Sequence, residues 1–498
     1  MSEQTKSLGQ SITSGALWMI LLKFLERGIG TISTLILARL LFPEDFGLVA
    51  LATIIAGFLV IMTEFRFDTA LIQNQQTTDD HFNTAWTLAV IRGGAVAIIL
   101  ALCSYQIALF FNDERLTEIL FCLAGLTFLN GFQNIGVVHF RKDMNFKQEF
   151  RYLLFPKIIR FVVTIAAAFY LRSYWALVIG ITANQVTQFL LGYVMHHYRP
   201  TFGLKHAKSI FGFSTWLWIS NIIVYLADRT DQFLIGKYTN TAKLGVYNVS
   251  YEISNLPTTE LIHPMSRAML PGLSKIGHDH QTLINMYLKA VGVITILAFP
   301  ASIGILVTAP LLVPVVLGQN WLDTIPLIQV LAIGGAIRVS LGHVSSLYVA
   351  CGQPKFGTLH VMLNTALRLP LLFLGMYYFD ILGVAWALVI SNVVGTVIGI
   401  TLCKMILPLP LTGLFSTIWR QAVATGAMWF GLDYIMQQLP TTLTSVEQLL
   451  ILLGLILLGA LLYGFVLLAL WSLSGRPNSG EQATLDFITA KFIKKPAS

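Results

Sequence analysis

Long apolar runs, each close to the length of a membrane span, recur from one end of the chain to the other. They fall at about 14–41, 46–72, 83–111, 116–138, 153–172, 175–197, 212–237, 243–264, 284–317, 324–351, 356–379, 382–406, 417–438 and 448–473. Each is continuously apolar over roughly the 20 residues that a helix needs to cross hydrocarbon about 30 Å thick. Strands of a membrane barrel would instead alternate apolar and polar positions over about 10 residues. The pattern predicts an all-α polytopic membrane protein with about fourteen transmembrane helices. The stretch 449–471 carries no charge and is expected to face lipid on every side.

Composition agrees. Hydrophobic residues make up 55% of the 498 residues and charged residues 11%, where a soluble domain carries about 25% charged. This excludes a water-soluble enzyme, a disordered chain and a nucleic-acid-binding domain, despite the net charge of +8. Cys103, Cys122, Cys351 and Cys403 all lie inside apolar runs without metal-ligand spacing and read as buried free thiols. The polar N-terminal stretch lacks the features of a signal peptide, so the first helix is expected to be retained.

Basic residues between the runs set the orientation. With the N-terminus in the cytoplasm, sixteen lie inside, among them Arg141, Lys142, Lys147 and Arg151. Four lie outside: Arg115, Arg172, Lys237 and Lys243. By the positive-inside rule both termini are cytoplasmic.

The chain also repeats itself. LILARLLFPEDFGLVALA (35–52) aligns without gaps on FLIGKYTNTAKLGVYNVS (233–250), matching Arg39 with Lys237, Phe46 with Leu244 and Gly47 with Gly245. YWALVIG (174–180) matches AWALVIS (385–391), and in that frame Lys157 meets Arg368. The repeat predicts a six-helix N-terminal lobe (1–205), a six-helix C-terminal lobe (206–410), an additional helix pair (411–475) and a cytoplasmic tail (476–498). Two parallel lobes that rock about a central cavity are the architecture of a transporter.

Few charges lie at membrane depth, and those few are informative. Lys23 and Arg27 share a face of the first helix, with Glu26 in reach of Lys23. Arg92, Arg338 and Arg368 are also mid-helix. Each cation at the bilayer centre costs about 2.5–3.5 kcal/mol, so these five must face acids, one another or a wet cavity. They are the candidate substrate-binding residues, because guanidinium and ammonium groups bind phosphate oxygens. Asn130, Gln133, Asn134, Trp216, Trp218, Asn221, Asn248 and Tyr251 are candidates for sugar contacts. Asp228, Asp231 and Glu252 give the second lobe an acidic character and are the candidate ion-coupling groups, with a proton or sodium as the coupling ion. Pairing with Arg229 and Lys237 would account for the same acids structurally.

Other features carry plainer readings. Glu64, Arg66 and Asp68 form an interfacial charge cluster or gate. The basic loop 139–152 is expected to contact anionic lipid, not nucleic acid. His196, His197 and His206 match no metal site. Pro300, Pro310 and Pro314 mark a kink or hinge. No catalytic residue, metal or cofactor is expected, and no GxxxxGK[ST] motif is present, so this chain does not hydrolyse ATP.

The pattern GALW…LARLLFPEDFGLVALATI…TALIQNQ (15–75) resembles the Wzx-type polysaccharide flippases, the polysaccharide transporter family of the multidrug/oligosaccharidyl-lipid/polysaccharide exporter superfamily. PEDFG (43–47) is its most specific part, and Arg66 departs from the small residue expected there. The extra C-terminal helix pair resembles the lipid II flippases of that superfamily. The resemblance implies two six-helix bundles in a V. It also implies movement of an undecaprenyl-pyrophosphate-linked oligosaccharide from the inner to the outer leaflet of the bacterial cytoplasmic membrane. The expected partners are that lipid-linked oligosaccharide, membrane lipid and the polysaccharide polymerase machinery. The substrate would serve lipopolysaccharide or exopolysaccharide synthesis. Two alternatives stay open: a cation-coupled small-molecule or drug exporter of the same superfamily, or a membrane-embedded glycan ligase or polymerase. The latter would need an aqueous domain or long outer loop that this pattern lacks.

Overall fold

The computed structural model describes residues 3–64, 71–72, 76–258, 279–341, 344–440 and 444–492. These residues are helical, without strands, and divide into two compact units, Met1–Asn248 and Val249–Ser498.

The first unit holds α1 (Glu3–Leu40), α2 (Pro43–Met62), α3 (Asp79–Phe111), α4 (Arg115–Gly131), α5 (Phe146–Leu171), α6 (Trp175–Met195), α7 (Ala207–Tyr238) and the first half of α8 (Thr241–Pro257). The PEDFG sequence is the start of α2. Pro43 takes the first helical position, where no N–H is needed, and the Asp45 carboxylate accepts the Phe42 N–H at 3.0 Å. Acidic Glu44 and Asp45 sit at the positive end of the helix dipole. Within this unit α3 packs along α4, α5 along α6 and α1, and α2 against α4 and α7.

The second unit holds the rest of α8, then α9 (His280–Val316), α10 (Thr324–Leu341), α11 (Pro354–Lys404), α12 (Leu411–Gln437), α13 (Ser445–Leu473) and α14 (Gly480–Phe492). Helix α9 runs through Pro300, Pro310 and Pro314 as one element. The expected break between residues 379 and 382 falls inside α11, where Phe379 and Asp380 leave helical geometry and Asp380 takes φ 55°. The stretch 449–471 does not face lipid all round. Leu452, Leu455, Gly459, Tyr463, Leu467 and Trp471, spaced three to four apart, are buried on one face of α13, while Leu450, Leu457, Leu461 and Phe465 are exposed.

A helix overlaps each predicted apolar segment. Among the described residues seven are long and apolar enough to cross a membrane, or eight if Arg115–Gly131 and the bent Ile135–Lys142 form one broken span. Charged positions make α1 and α7 more polar than these. The exterior is rich in large exposed apolar side chains, among them Phe24, Leu102, Val194, Phe415 and Phe430. Surfaces of that kind belong against lipid, and the protein is a multi-pass membrane protein. All four cysteines are free, but only Cys403 is buried. Cys103 is exposed on α3, so the expectation of buried thiols does not extend to it.

Candidate functional site

The predicted cations fall in different surroundings. Lys23 is exposed and its Nζ lies 2.9 Å from Glu26 one turn along α1. Arg27 is exposed on the next turn. Lys157 of α5 lies within the electrostatic reach of both Glu26 and Lys23. Arg338 is half-buried on α10, with Nη1 3.5 Å from the Tyr251 hydroxyl, a contact at the outer limit of a hydrogen bond. Arg368 is half-buried on α11, one turn after Asn364.

Arg92 is surrounded by polar side chains. It lines two adjoining cavities inside the first unit, each of about 290 Å³, which share Arg92, Asn130, Gln133 and Gln188. One extends toward Trp86, Glu64 and Tyr152 and toward Arg141, which is paired with the buried Glu149. The other extends toward Thr63, Thr127, Asn184 and Gln185. Gln133 Nε2 donates to Asn130 Oδ1 at 2.9 Å, and Asn130 Nδ2 donates to Gln185 Oε1 at 2.7 Å. One lining atom, Asn184 Oδ1, is buried with no hydrogen-bond partner.

Of the predicted sugar contacts, the fold therefore brings Asn130, Gln133 and Asn134 to one cavity with Arg92. Asn134 holds the loop together: its amide donates to the Gly192 and Tyr198 carbonyls and its oxygen accepts the Gly136 N–H. Asn221 is half-buried on α7, and the side-chain amide of Asn248 is buried without a partner. The side chains of Trp216 and Trp218, and residues Arg66 and Asp68, lie outside the described residues. Glu64 is half-buried in the Arg92 cavity.

The acids separate. Asp231 is 1% exposed and accepts the Tyr247 hydroxyl at 2.5 Å, whereas Asp228, three residues earlier, is exposed. Glu252 is exposed and belongs to the second unit. Arg229 donates to Gln232, and Lys237 donates to the Phe110 carbonyl.

The second unit contains a larger, mainly apolar cavity of about 940 Å³. Phe299, Ile303, Ile333, Trp386, Trp429 and Met436 line it, with Gln329, Thr425, Asp433 and Gln437 as its polar positions.

Sequence reasoning missed Trp86, Asn184, Gln185 and Gln188. The spacing of the three α6 amides, at i, i+1 and i+4, could have revealed them as one polar face in an apolar helix.

A family model described as "Polysaccharide biosynthesis protein" matches residues 36–326. The chain is 25% identical over 429 residues to the teichuronic acid biosynthesis protein TuaB of Bacillus subtilis (strain 168), covering 85% of this chain and 88% of that protein. It is 24% identical over 398 residues to the lipopolysaccharide biosynthesis protein WzxC of Escherichia coli (strain K12), covering 79% and 80%. In fold it is similar to the inward closed conformation of the lipid II flippase MurJ, with a TM-score of 0.72 at 16% identity over 92% of this chain and 99% of that one. It is also similar to an inward-facing multidrug resistance MATE family transporter, with a TM-score of 0.56 at 14% identity over 76% and 94%. The chain belongs to the polysaccharide biosynthesis protein family.

Proposed function

We propose that this protein is a flippase, not an enzyme, which moves an undecaprenyl-pyrophosphate-linked oligosaccharide from the inner to the outer leaflet of the bacterial cytoplasmic membrane. The observation that carries the reading is the Arg92 cavity: a cation and a set of amides enclosed in a helix bundle whose exterior is apolar. Such groups are costly in a membrane and are retained where a polar cargo must be met. The apolar cavity of the second unit has the chemistry to take a prenyl chain. Among the relatives, ExoT of Rhizobium meliloti is named a succinoglycan biosynthesis transport protein and Agl15 of Haloferax volcanii a probable low-salt glycan biosynthesis flippase. These names support the same class of cargo.

In this reading the chain crosses the membrane fourteen times with both termini in the cytoplasm. Lobes 1–205 and 206–410 alternate access, helices in 411–475 flank them, and 476–498 forms a cytoplasmic tail. Lys23, Arg27, Arg92, Arg338 and Arg368 meet the pyrophosphate. Asp228, Asp231 and Glu252 couple transport to protons or sodium, and a polysaccharide polymerase receives the product.

Reconstitution into vesicles with an undecaprenyl-pyrophosphate glycan tests the function. Transbilayer movement is expected to depend on the protein and to fall in Lys23→Ala/Arg27→Ala. Trp386, Trp429 and Asp433 in the apolar cavity would also suit a cationic amphiphile. Ion-driven export of such a compound without glycan-lipid movement would favour the drug-exporter reading instead.

A further inference from the structure

At one end of the second unit the start of α9, the start of α12 and the turn from α13 into α14 enclose a cavity of about 590 Å³. Helix α9 packs against both α12 and α14. The space between them is lined by Asn285, Lys289, Ser416, Arg420, Asn478 and Ser479, and no carboxylate lines it among the described residues. Lys289 Nζ reaches from α9 to the tail, where it donates to Asn478 Oδ1 at 3.2 Å. Arg420 is buried. Its Nε and Nη2 are held by Glu481 and Ser479, and its Nη1 has no partner among the described residues.

This lining is set to donate. Gln281 Nε2 donates to the Asn285 oxygen at 3.3 Å, and Lys289 occupies that of Asn478, so each amide keeps its Nδ2 donors for a ligand. Gly480 opens α14 and lines the cavity, and the first N–H groups of a helix have no intrahelical partner. Cations and donors together call for an anion: they repel a metal ion, and a neutral ligand leaves the charge unanswered. The charge count narrows the choice. Lys289, Arg420 and Arg476, the last beside the lining Pro477, stand against Glu481 on Arg420 and Asp279 on the lining Thr282. Three cations against two acids leave one positive charge, which a phosphodiester balances and a pyrophosphate exceeds.

The rim around this polar space is apolar. Met286 lines the cavity and is exposed, Phe415 is exposed beside the lining Ser416, and Leu411 and Leu473 are exposed at the facing helix ends. Lys289 and Arg420 stand where the polar starts of α9 and α12 give way to apolar sequence, the level at which a span leaves the hydrocarbon for the headgroups. A cationic pocket with an apolar rim at that level fits a lipid better than a soluble anion. We propose that this cavity binds the phosphodiester headgroup of an anionic membrane phospholipid through Lys289, the Arg420 Nη1 and the Asn285 and Asn478 amides, with the acyl chains along Met286 and Phe415. The site shares no residue with the Arg92 cavities or with the candidate substrate and coupling residues, and it stands whether or not the protein moves a glycan lipid. Because its walls come from α9 and from the tail segment 477–480, a bound lipid ties the tail to α9.

The test uses the full-length protein in phosphatidylcholine nanodiscs that carry a trace of a photoreactive phosphatidylglycerol or, in parallel, a phosphatidylcholine with the same photoreactive chain. Crosslinked peptides are mapped by mass spectrometry. Phosphatidylglycerol is expected to label 285–289 and 411–420, and phosphatidylcholine to label them far less. Lys289→Gln is expected to lower that labelling about fivefold, and Lys289→Arg to keep it. Lys289 is exposed and its hydrogen bond is to the exposed Asn478, so its replacement disturbs no core contact. Lys147→Gln, in the basic loop of the first unit, controls for general surface charge and should leave the labelling unchanged. Labelling only elsewhere, equal labelling by the two lipids, or labelling that ignores Lys289→Gln would overturn the site. Millimolar inorganic phosphate and pyrophosphate form the second arm. Labelling that survives both supports the lipid, and displacement by either gives the cavity to a soluble anion and overturns the proposal.

Discussion

Gly47 of α2 and Gly245 of α8, matched positions of the sequence repeat, meet backbone to backbone. A Cβ on Gly47 would lie 1.7 Å from the Thr241 carbonyl oxygen, and one on Gly245 would lie 1.7 Å from that of Pro43. The obstruction is main chain on both sides, so no flexible side chain can yield. Gly47→Ala and Gly245→Ala should therefore each force the two helices apart and destabilise the protein by at least the ~1–3 kcal/mol typical of overpacking. Thermal unfolding followed by scanning fluorimetry in detergent measures this. Since either methyl group opens the same crossing, the double variant should lose less than the sum of the singles.

The tail helix is held by a buried charge pair. Arg420 of α12, 4% exposed, places Nε 2.7 Å and Nη2 3.3 Å from the two carboxylate oxygens of Glu481, which also receives Gln421 Nε2 at 3.2 Å and the Ser479 hydroxyl at 2.5 Å. Gly480 lets α14 approach α9, where its Cβ would lie 2.5 Å from the Gly292 carbonyl carbon. Glu481→Gln leaves the guanidinium buried beside a neutral amide and should cost about 3–5 kcal/mol of docking. Hydrogen exchange of residues 480–492 should accelerate, while an apolar replacement of both partners should restore much of the protection. Burial pushes the Glu481 carboxyl up, but hydrogen bonds from Arg420 and Ser479 outweigh it and hold the group below its usual value. Docking should therefore be complete above the ordinary glutamate pKa and weaken as pH falls through the depressed one.

Such pairs show what a single chain conceals. Hydropathy alone located a helix at every predicted segment, because lipid imposes the same length and apolarity on each. It even marked the break at Phe379–Asp380, where a polar residue interrupts an apolar run. Gly47 and Gly245 were matched by alignment, but equivalence within a repeat carries no information about contact. Arg420 was overlooked because its partner is in the tail, 61 residues later, and a tail acid reads as solvated. Lys23 and Glu26 were legible as a pair because a helix brings i and i+3 together whatever the fold. The cavity around Arg92 was only half visible. Asn130 and Gln133 lie three apart in one short stretch and were named as sugar contacts, whereas the α6 amides reach the same space only through packing of α4 against α6.

The segment joining α6 to α7 is latched to α3 by hydrogen bonds and closed by two histidine stacks. The Tyr198 hydroxyl and the Thr201 N–H both donate to Asn83 Oδ1, and the Gly203 N–H donates to the Thr87 hydroxyl. His139 stacks on His196 with centroids 5.1 Å apart, and His81 on His206 at 3.8 Å. Burial first, and then the neighbouring His139 and His197, lower the His196 pKa from the usual 6.5. Asp143 opposes this and Arg199 adds to it. The folded segment thus resists a proton that the released one accepts. Its docking should be full above about pH 6.5 and be lost progressively as pH falls toward the depressed value. Hydrogen exchange of residues 198–206 at pH 7.5 and pH 5.5 should reveal the loss, after correction for intrinsic rates. His196→Asn, which keeps an acceptor for the Tyr198 N–H but cannot titrate, should flatten the difference.

Asp231 and Asp228 make opposite predictions although they sit three residues apart. Asp231 is enclosed and accepts the Tyr247 hydroxyl, so any change in its charge must be answered by its immediate surroundings. Asp228 is exposed and has no such lever. If ion coupling runs through this helix, Asp231→Asn should remove the dependence of transport on an imposed proton or sodium gradient. That dependence corresponds to a coupling of about 1–3 kcal/mol, or roughly 5- to 150-fold in affinity for the substrate under a saturating gradient. Asp228→Asn should leave most of it in place. Tyr247→Phe provides the control, because it removes the donor and keeps the carboxylate: the gradient dependence should persist. Vesicle transport measured with and without each gradient decides the matter. Full gradient dependence in Asp231→Asn would move the coupling site away from α7.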